Sequence, residues 1–347
     1  MTTQILVTGG DGFLASHIIQ KLLEQGYAVC ATLRSLTKAA GVRETLAATQ
    51  TPNLERLTFV QADLSQDTGW AAAMQNVTGV MSVAAPVFVN DGPVSATVAN
   101  SADQGTLRII KAAETAGVKR VVMTANLGAV GFSSFDPQHV ITEADWTDPA
   151  QSGLSAYEQS KLLAEKHAWA YLAETHSTLE FVTVNAGAML GPALGAHVTG
   201  SFGIVQRLLT GKVSPNLVFN VADVRDVADI HVRAMTTAAA SGQRFLAVED
   251  GAISMREMIA LIRKQRPAVA QHLPRHLLPA VLIHALAPLN KTIREADLTL
   301  RLGHNVSNQK ARTLLGWQPI SDNASAVLAA VDSLTAIQRE ESAIKGG

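Results

Sequence analysis

A chain of 347 residues is long enough for one large core or two unequal lobes, and 47% hydrophobic with 16% charged residues is a globular composition rather than a disordered or fibrous one. A formal net charge of -1 leaves no basic surplus for phosphate backbones or anionic lipid, which argues against nucleic acid or a membrane surface as the main partner and for a small ligand. The single cysteine, Cys30, has no intramolecular disulfide partner, and in the apolar run from Val29 to Leu33 it is expected to be a buried core thiol. The chain enters Ile5-Leu6-Val7 without the charged and apolar regions of a signal peptide, so a cytoplasmic location is expected. The longest apolar stretch, Leu277 to Leu289, is shorter than the about 20 residues of a bilayer span and is interrupted by Pro279, His284 and Pro288.

In the first half, short apolar runs alternate with longer helical patterns, the sequence form of repeated β-α units. This predicts an α/β fold built on a doubly wound parallel sheet. Strands are predicted at Ile5 to Val7, Ala28 to Leu33, Leu57 to Val60, Gly79 to Val83, Arg120 to Thr124 and Phe181 to Asn185, each β-branched-rich or continuously apolar as a sheet covered on both faces requires. The first helix repeats an apolar face at Phe13/Leu14, Ile18 and Leu22/Leu23 and ends at Gly26. A long helix runs from about Ser95 to Ala116 and closes at Gly117, and another follows Tyr157 to about His176. Beyond Gly187 the pattern shifts to Gly- and Pro-bearing loops and irregular helices, where a smaller substrate lobe is expected. Residues 1–186 are assigned to the core, with 215–235 returning to it, and 187–347 mainly to the substrate lobe. No linker separates them.

Directly after the first strand comes Thr8-Gly9-Gly10-Asp11-Gly12-Phe13-Leu14-Ala15, which satisfies the GxGxxA dinucleotide fingerprint of a Rossmann fold. Small residues let the backbone turn sharply and approach a pyrophosphate, and the following helix offers free N–H groups at its positive end. Thr8, Gly9, Gly12, Phe13 and Leu14 are therefore candidate cofactor residues. A carboxylate at Asp11 beside a pyrophosphate costs affinity unless it points into solvent or caps a backbone donor, so Asp11 is not among them. At the end of the second strand no acid is present to hold a ribose 2'-OH. Arg34-Ser35 and Lys38 stand there instead, a pattern that favours the 2'-phosphate of NADP(H). Asp63-Leu64 after the third strand is a candidate to hydrogen-bond the adenine, and Ala84-Ala85-Pro86 after the fourth to give close backbone passage along the cofactor.

Tyr157-Glu158-Gln159-Ser160-Lys161 is a YxxxK motif, and on a helix its ends share one face about 6 Å apart along the axis. Bringing a phenol down from a pKa of about 10 by two to three units takes roughly 3 to 4 kcal/mol, the scale that a neighbouring ammonium supplies in a dry pocket. Tyr157 is the candidate proton donor and Lys161 its activator and ribose ligand.

With these motifs in order, the chain resembles the extended short-chain dehydrogenase/reductase family, in particular its dihydroflavonol, cinnamoyl-CoA and aldehyde reductase branch. The resemblance rests on Val7 to Ala15, Leu33-Arg34, Lys119 to Thr124, Tyr157 to Lys161, Asn185-Ala186-Gly187 with Gly191-Pro192, and Asp223 to Ala228. It implies NADPH-dependent reduction of a small-molecule ketone or aldehyde, reversible as alcohol oxidation, and a homodimer through the helices beside Tyr157. It also implies a serine at the end of the fifth strand, where this chain has Thr124-Ala125-Asn126 in place of Thr-Ser-Ser. Asn126 then takes the serine's slot as carbonyl hydrogen-bond donor, with Thr124 the alternative. Ala186 replaces the family's usual proline, which is expected to loosen the adjoining loop.

Two other functions share these motifs: a nucleotide-sugar-type epimerase or dehydratase that retains its nicotinamide, and an NADP-binding regulator without turnover, suggested by the missing serine. No metal is predicted, because the ten histidines form no HExxH and Pro274 separates His272 from His276. Glu143, Asp145 and Asp148 around Trp146 are expected to be a solvated loop, and Asp223 to Asp226 a salt-bridge and helix-cap element.

Overall fold

The computed structural model describes residues 3–85 and 96–346, with the side chains of 96–102 and 343–346 excepted. In its first half strands and helices alternate: β1 (Gln4–Val7), α1 (Phe13–Glu24), β2 (Ala28–Leu33), α2 (Ala39–Ala48), β3 (Leu57–Gln61), α3 (Trp70–Ala73), β4 (Gly79–Ser82), α4 (Ala96–Thr115), β5 (Arg120–Asn126), α5 (Gly128–Gly131), α6 (Ala156–Glu174) and β6 (Glu180–Ala186). The second half continues with β7 (Ala188–Leu190), α7 (Phe202–Leu209), β8 (Val218–Phe219), β9 (Val221–Asp223), α8 (Val224–Thr236), β10 (Arg244–Ala247) and β11 (Ile253–Ser254). It ends in helices α9 (Met255–Gln265), α10 (Ala280–Leu286), α11 (Lys291–Arg301), α12 (Gln309–Leu315) and α13 (Asn323–Gly346).

Seven strands form one parallel sheet in the order β10-β6-β5-β4-β1-β2-β3, a doubly wound α/β arrangement of the Rossmann type. Its strands alternate side chains between two covered faces, which is why they are apolar throughout. Ile5, Val7, Val29 and Ala31 face one way, into a core shared with Ile18 and Leu22 of α1 and Ile230 of α8. Leu6, Cys30, Val80 and Val121 face the other way, toward Ile109 and Ile110 of α4 and Ala164 and Ala168 of α6. The chain reverses direction across the sheet at β1, flanked by β2 and β4, and a ligand crevice opens at the carboxyl ends of strands at such a switch point.

β10 is a seventh strand that the sequence pattern does not announce. Its four residues begin with a charge, yet Arg244 is only 8% exposed, and the register pairs Arg244 with Thr183 and Ala247 with Ala186. Between β6 and β10 the chain makes an excursion in which β7 pairs with β9 and β8 with β11. α8 then returns to pack on α1 and the sheet. Asp223 caps α8, accepting from the Arg225 N–H at 2.9 Å and from its guanidinium at 2.8 and 2.9 Å. Trp317 Nε1 donates to Asp226 at 3.0 Å, tying α8 to the C-terminal segment. One hydrophobic cluster runs from Ile5 through α8 to Leu334, so the C-terminal segment shares the core of the sheet.

Candidate active site

At the carboxyl end of β1 the backbone is held by a short set of bonds. Thr8 is fully buried. Its N–H donates to Met81 O at 3.0 Å, and its hydroxyl accepts from the N–H groups of Val83 and Ala84 at 2.9 and 2.8 Å, tying β1 to the end of β4. Gly9 sits at φ +67 and donates to Thr32 Oγ1 at 3.0 Å, and a Cβ on it would lie 3.1 Å from Ala84 Cβ. At Gly10 a Cβ would meet that of Ala31 at 2.7 Å. Gly12 closes the turn by donating to Gly9 O at 2.9 Å and caps α1 with no side-chain bond, so the first-turn N–H groups, including those of Phe13 and Leu14, have no intrahelical acceptor. The side chains of Phe13 and Leu14 are buried, and the Phe13 ring packs edge-on against Phe202 at 5.1 Å. A concavity that added carbons would fill, lined by helix N–H groups, suits a pyrophosphate. Only the backbone of these five predicted residues borders it.

His17, one turn further on, donates from Nε2 to Pro192 O at 2.9 Å and pins the loop after β7 above the glycine turn. Its burial pulls the ring pKa down to about 4, so it is neutral.

At the end of β2, Arg34 and Lys38 are both exposed, and Ser35 caps the short turn between them. Lys38 Nζ lies 2.5 Å from Asp11 Oδ2, so the Asp11 carboxylate is held by an ammonium as well as by its own backbone N–H rather than pointing freely into solvent. Asp63 uses Oδ1 to accept from the N–H and hydroxyl of Ser65, each at 2.8 Å, and these bonds with the nearby Arg34 hold its carboxyl below the usual range. Leu64 and Ala84 line a narrow cleft together with Ser82, Met123, Thr124 and Lys161; Ala85 is exposed, and Pro86 lies outside the described residues. Gly187 follows β6 where a Cβ would come within 2.4 Å of Asn220 O. Ala186 does not loosen this region. It is a buried strand residue paired with Asn126 and Ala247, and its carbonyl accepts from the Leu127 N–H at 2.8 Å.

α6 starts on a capping box, with Ser155 Oγ accepting from the Glu158 N–H at 3.1 Å and Glu158 Oε2 accepting from the Ser155 N–H at 2.9 Å. This fixes the first turn, which carries Tyr157. Its residue surface is 39% exposed, but the hydroxyl end is desolvated against the Asn126 side chain, and that burial raises the phenol above 10.0. The opposing influence comes from Asn126 rather than from Lys161. Lys161 is buried, opens onto the cleft, and has its pKa pulled down to about 8 by desolvation. No hydrogen-bond or ion-pair partner for it is found among the described residues.

The Asn126 amide has a determined orientation. Oδ1 accepts from the Gly128 N–H at 2.6 Å, which fixes the amide with its NH2 on the other side, and the same side chain meets the Tyr157 phenol. Thr124 has a different partner, His231 Nε2 at 2.8 Å. His231 Nδ1 is bonded to Val227 O at 2.8 Å, so Nδ1 carries the ring hydrogen and Nε2 accepts the threonine's. Burial draws this ring down to about 4, keeping it neutral.

A buried network under the site escapes sequence reasoning. Glu165, one turn beyond Lys161, accepts from Arg244 Nε at 2.9 Å, Thr183 Oγ1 at 2.8 Å and Asn185 Nδ2 at 2.7 Å. Asn185 Nδ2 also donates to the Asn126 carbonyl at 3.2 Å, joining the helix of the pair to the strand end. Arg244 further donates to the carbonyls of Glu143 and Asp145 and stacks 3.6 Å from the Trp146 ring. Glu143 is half-buried, accepting from the Leu246 N–H at 3.1 Å, and burial raises its carboxyl. The segment 143–146 is therefore stapled to β10 rather than solvated. Its signal lies in residues about a hundred positions apart.

A glycine-built nucleotide cradle at the switch point, with a Tyr-Lys helix beside the end of β5, defines a short-chain dehydrogenase/reductase type of protein. The model of the NAD dependent epimerase/dehydratase family matches residues 5–247, and the chain belongs to that family. Cinnamoyl-CoA reductase 1 of Petunia hybrida is 35% identical over 253 residues, spanning 71% of this chain and 72% of the relative. A putative NADPH-dependent methylglyoxal reductase of Candida albicans is 28% identical over 338 residues, spanning 91% and 94%. The structure of yeast methylglyoxal/isovaleraldehyde reductase complexed with NADPH superimposes with a TM-score of 0.79 at 23% identity, covering 97% of this chain and 99% of that one. Among the described residues no helix is long and apolar enough to cross a membrane, and no group of His, Cys, Asp or Glu is placed to hold a metal ion.

Proposed function

We propose that this chain is an NADPH-dependent carbonyl reductase that converts a small ketone or aldehyde to an alcohol, reversibly, with Tyr157 as proton donor. The observation that carries the reading is the Asn126 amide, anchored through its oxygen on the Gly128 N–H with its side chain against the Tyr157 phenol. An amide nitrogen has two hydrogens. With the oxygen anchored, they can serve the phenol and a carbonyl oxygen placed beside it. Thr124 lacks this capacity because its hydroxyl hydrogen is spent on His231.

The remaining residues have complementary tasks. The Gly9 to Gly12 turn and the first-turn N–H groups of α1 hold the pyrophosphate, while Arg34 and Lys38 hold the 2'-phosphate. Desolvation keeps the Tyr157 phenol protonated, the form a reductive proton donor requires, and the proton passes from its oxygen to that of the substrate. Lys161 binds the ribose hydroxyls, and below a pH of about 8 its charge stabilises the phenolate left behind. The bound nicotinamide supplies the hydride. The named activities of the Candida albicans and Petunia hybrida relatives support the same assignment.

The test is NADPH oxidation against aldehydes, aryl ketones, dihydroflavonols and acyl-CoA thioesters, with Tyr157→Phe alongside. Turnover of at least one carbonyl class, lost by about a hundredfold or more in Tyr157→Phe, is expected. Full activity in that variant overturns the mechanism. Tight nicotinamide retention without net NADPH consumption indicates an epimerase or dehydratase, and binding without turnover of any kind a regulator.

A further inference from the structure

Asp11 occupies the turn between Gly10 and Gly12, and its carboxylate pairs with Lys38, 27 residues on, at 2.5 Å. The pair stands in a cleft of about 320 Å³ between α1, α2 and the loop of Leu194 to His197, with Thr45 on the opposite wall. His197 adds a further attraction to the same carboxylate. On the neighbouring side, Arg34 feels the negative charge of Asp63. Each of the two candidate phosphate cations, Lys38 and Arg34, thus has a carboxylate beside it.

We infer that Asp11 is a specificity-determining residue: by pairing with Lys38 it withholds that ammonium from the 2'-phosphate of NADPH and narrows the preference for NADPH over NADH. The inference rests on the cofactor reading proposed above. A 2'-phosphate needs Lys38 released, whereas a cofactor without that phosphate does not. The side chains of Lys38 and Asp11 keep 48% and 27% exposure, so solvent screens the pair and it opens readily. A ligand that binds only the open arrangement has its dissociation constant raised by the inverse of the open fraction.

The test is titration of NADPH and NADH into the full chain carrying Asp11→Asn, Lys38→Ala, both together, or Arg34→Ala. Asp11→Asn is expected to tighten NADPH about 3- to 5-fold with less than about twofold change for NADH, corresponding to a screened pair closed for somewhat more than half of the time. The gain disappears when Lys38→Ala is added. Asp11→Ser, which also lacks the charge, gives the same shift. No tightening of NADPH, equal tightening of both cofactors, or a gain that survives Lys38→Ala overturns the inference. Arg34→Ala separates the two levels: weaker NADPH binding there with an inert Asp11→Asn defeats this inference alone, and unchanged NADPH binding there defeats the cofactor reading with it.

Discussion

The two ends of the cleft are made from different material. At the Gly9 end the surface is backbone, with hypothetical side-chain carbons meeting Ala84 at 3.1 Å and Ala31 at 2.7 Å. At the Tyr157 end it is side chains brought from β5, β6, α6 and β10 and locked by mutual hydrogen bonds. A backbone surface recognises what every ligand of the class shares and leaves no room for substitution. A side-chain surface tolerates exchange of one donor for another when the replacement is anchored, as the Asn126 amide is on the Gly128 N–H.

That contrast breaks if the donor at Asn126 proves dispensable. Asn126→Ala should lower kcat for carbonyl reduction by about a hundredfold, as loss of one oriented donor does, while Asn126→Ser should keep most of the activity. Steady-state kinetics with NADPH saturating measure both; equal losses would show that the amide is merely structural. At the other end no conservative replacement exists. Gly9→Ala imposes a left-handed backbone on a residue with a side chain, costing about 1–2 kcal/mol, and should weaken NADPH binding by about tenfold or more in a fluorescence titration.

A smaller effect comes from Lys161. Its lowered pKa means that it is charged below about 8 and neutral above, so kcat/KM should decline as the pH rises through that value. A flat profile from pH 7 to 9 would remove Lys161 from the chemistry. The smallest effect lies outside the cleft. Glu249 is buried against Asp226 and Asp223, and its carboxyl is raised from 4.5 to about 8 by desolvation and by those neighbouring acids. Between these two values the folded chain holds a proton that the unfolded chain releases, so this group's contribution to stability falls as the pH rises from about 4.5 to about 8 and is constant beyond. Glu249→Gln should flatten the Tm-against-pH curve across that window, and a curve parallel to that of the parent chain would refute the assignment.

The same contrast explains what was legible in the sequence. The glycine turn, the six strands predicted for the sheet and the helix carrying Tyr157 are local: spacing, capping residues and apolar runs announce them, and the structure places them within a few residues of the predicted bounds. Side-chain partnerships across the fold are not local. The spacing of Tyr157 and Lys161 says that they share a helix face, but not that Asn126 rather than Lys161 opposes the rise in the phenol's pKa. The sequence ranks Asn126 ahead of Thr124 only by its slot at the strand end, and it does not show that the Thr124 hydroxyl is engaged by His231, more than a hundred residues away. Arg244 hides a strand for a related reason: a charge at its start breaks the apolar pattern, and its compensation by Glu165 lies 79 positions back.

The return of β10 to the sheet also orders events in time. The edge of β6 stays uncovered until the chain has been synthesised through Ala247, because everything between Gly187 and Gln243 comes off the ribosome first. An open parallel edge is a template for wrong pairing with other chains. Synthesis past Ala247, rather than completion of the glycine turn, marks the point at which β6 ceases to be an edge, leaving β10 and β3 as the outer strands of the finished sheet.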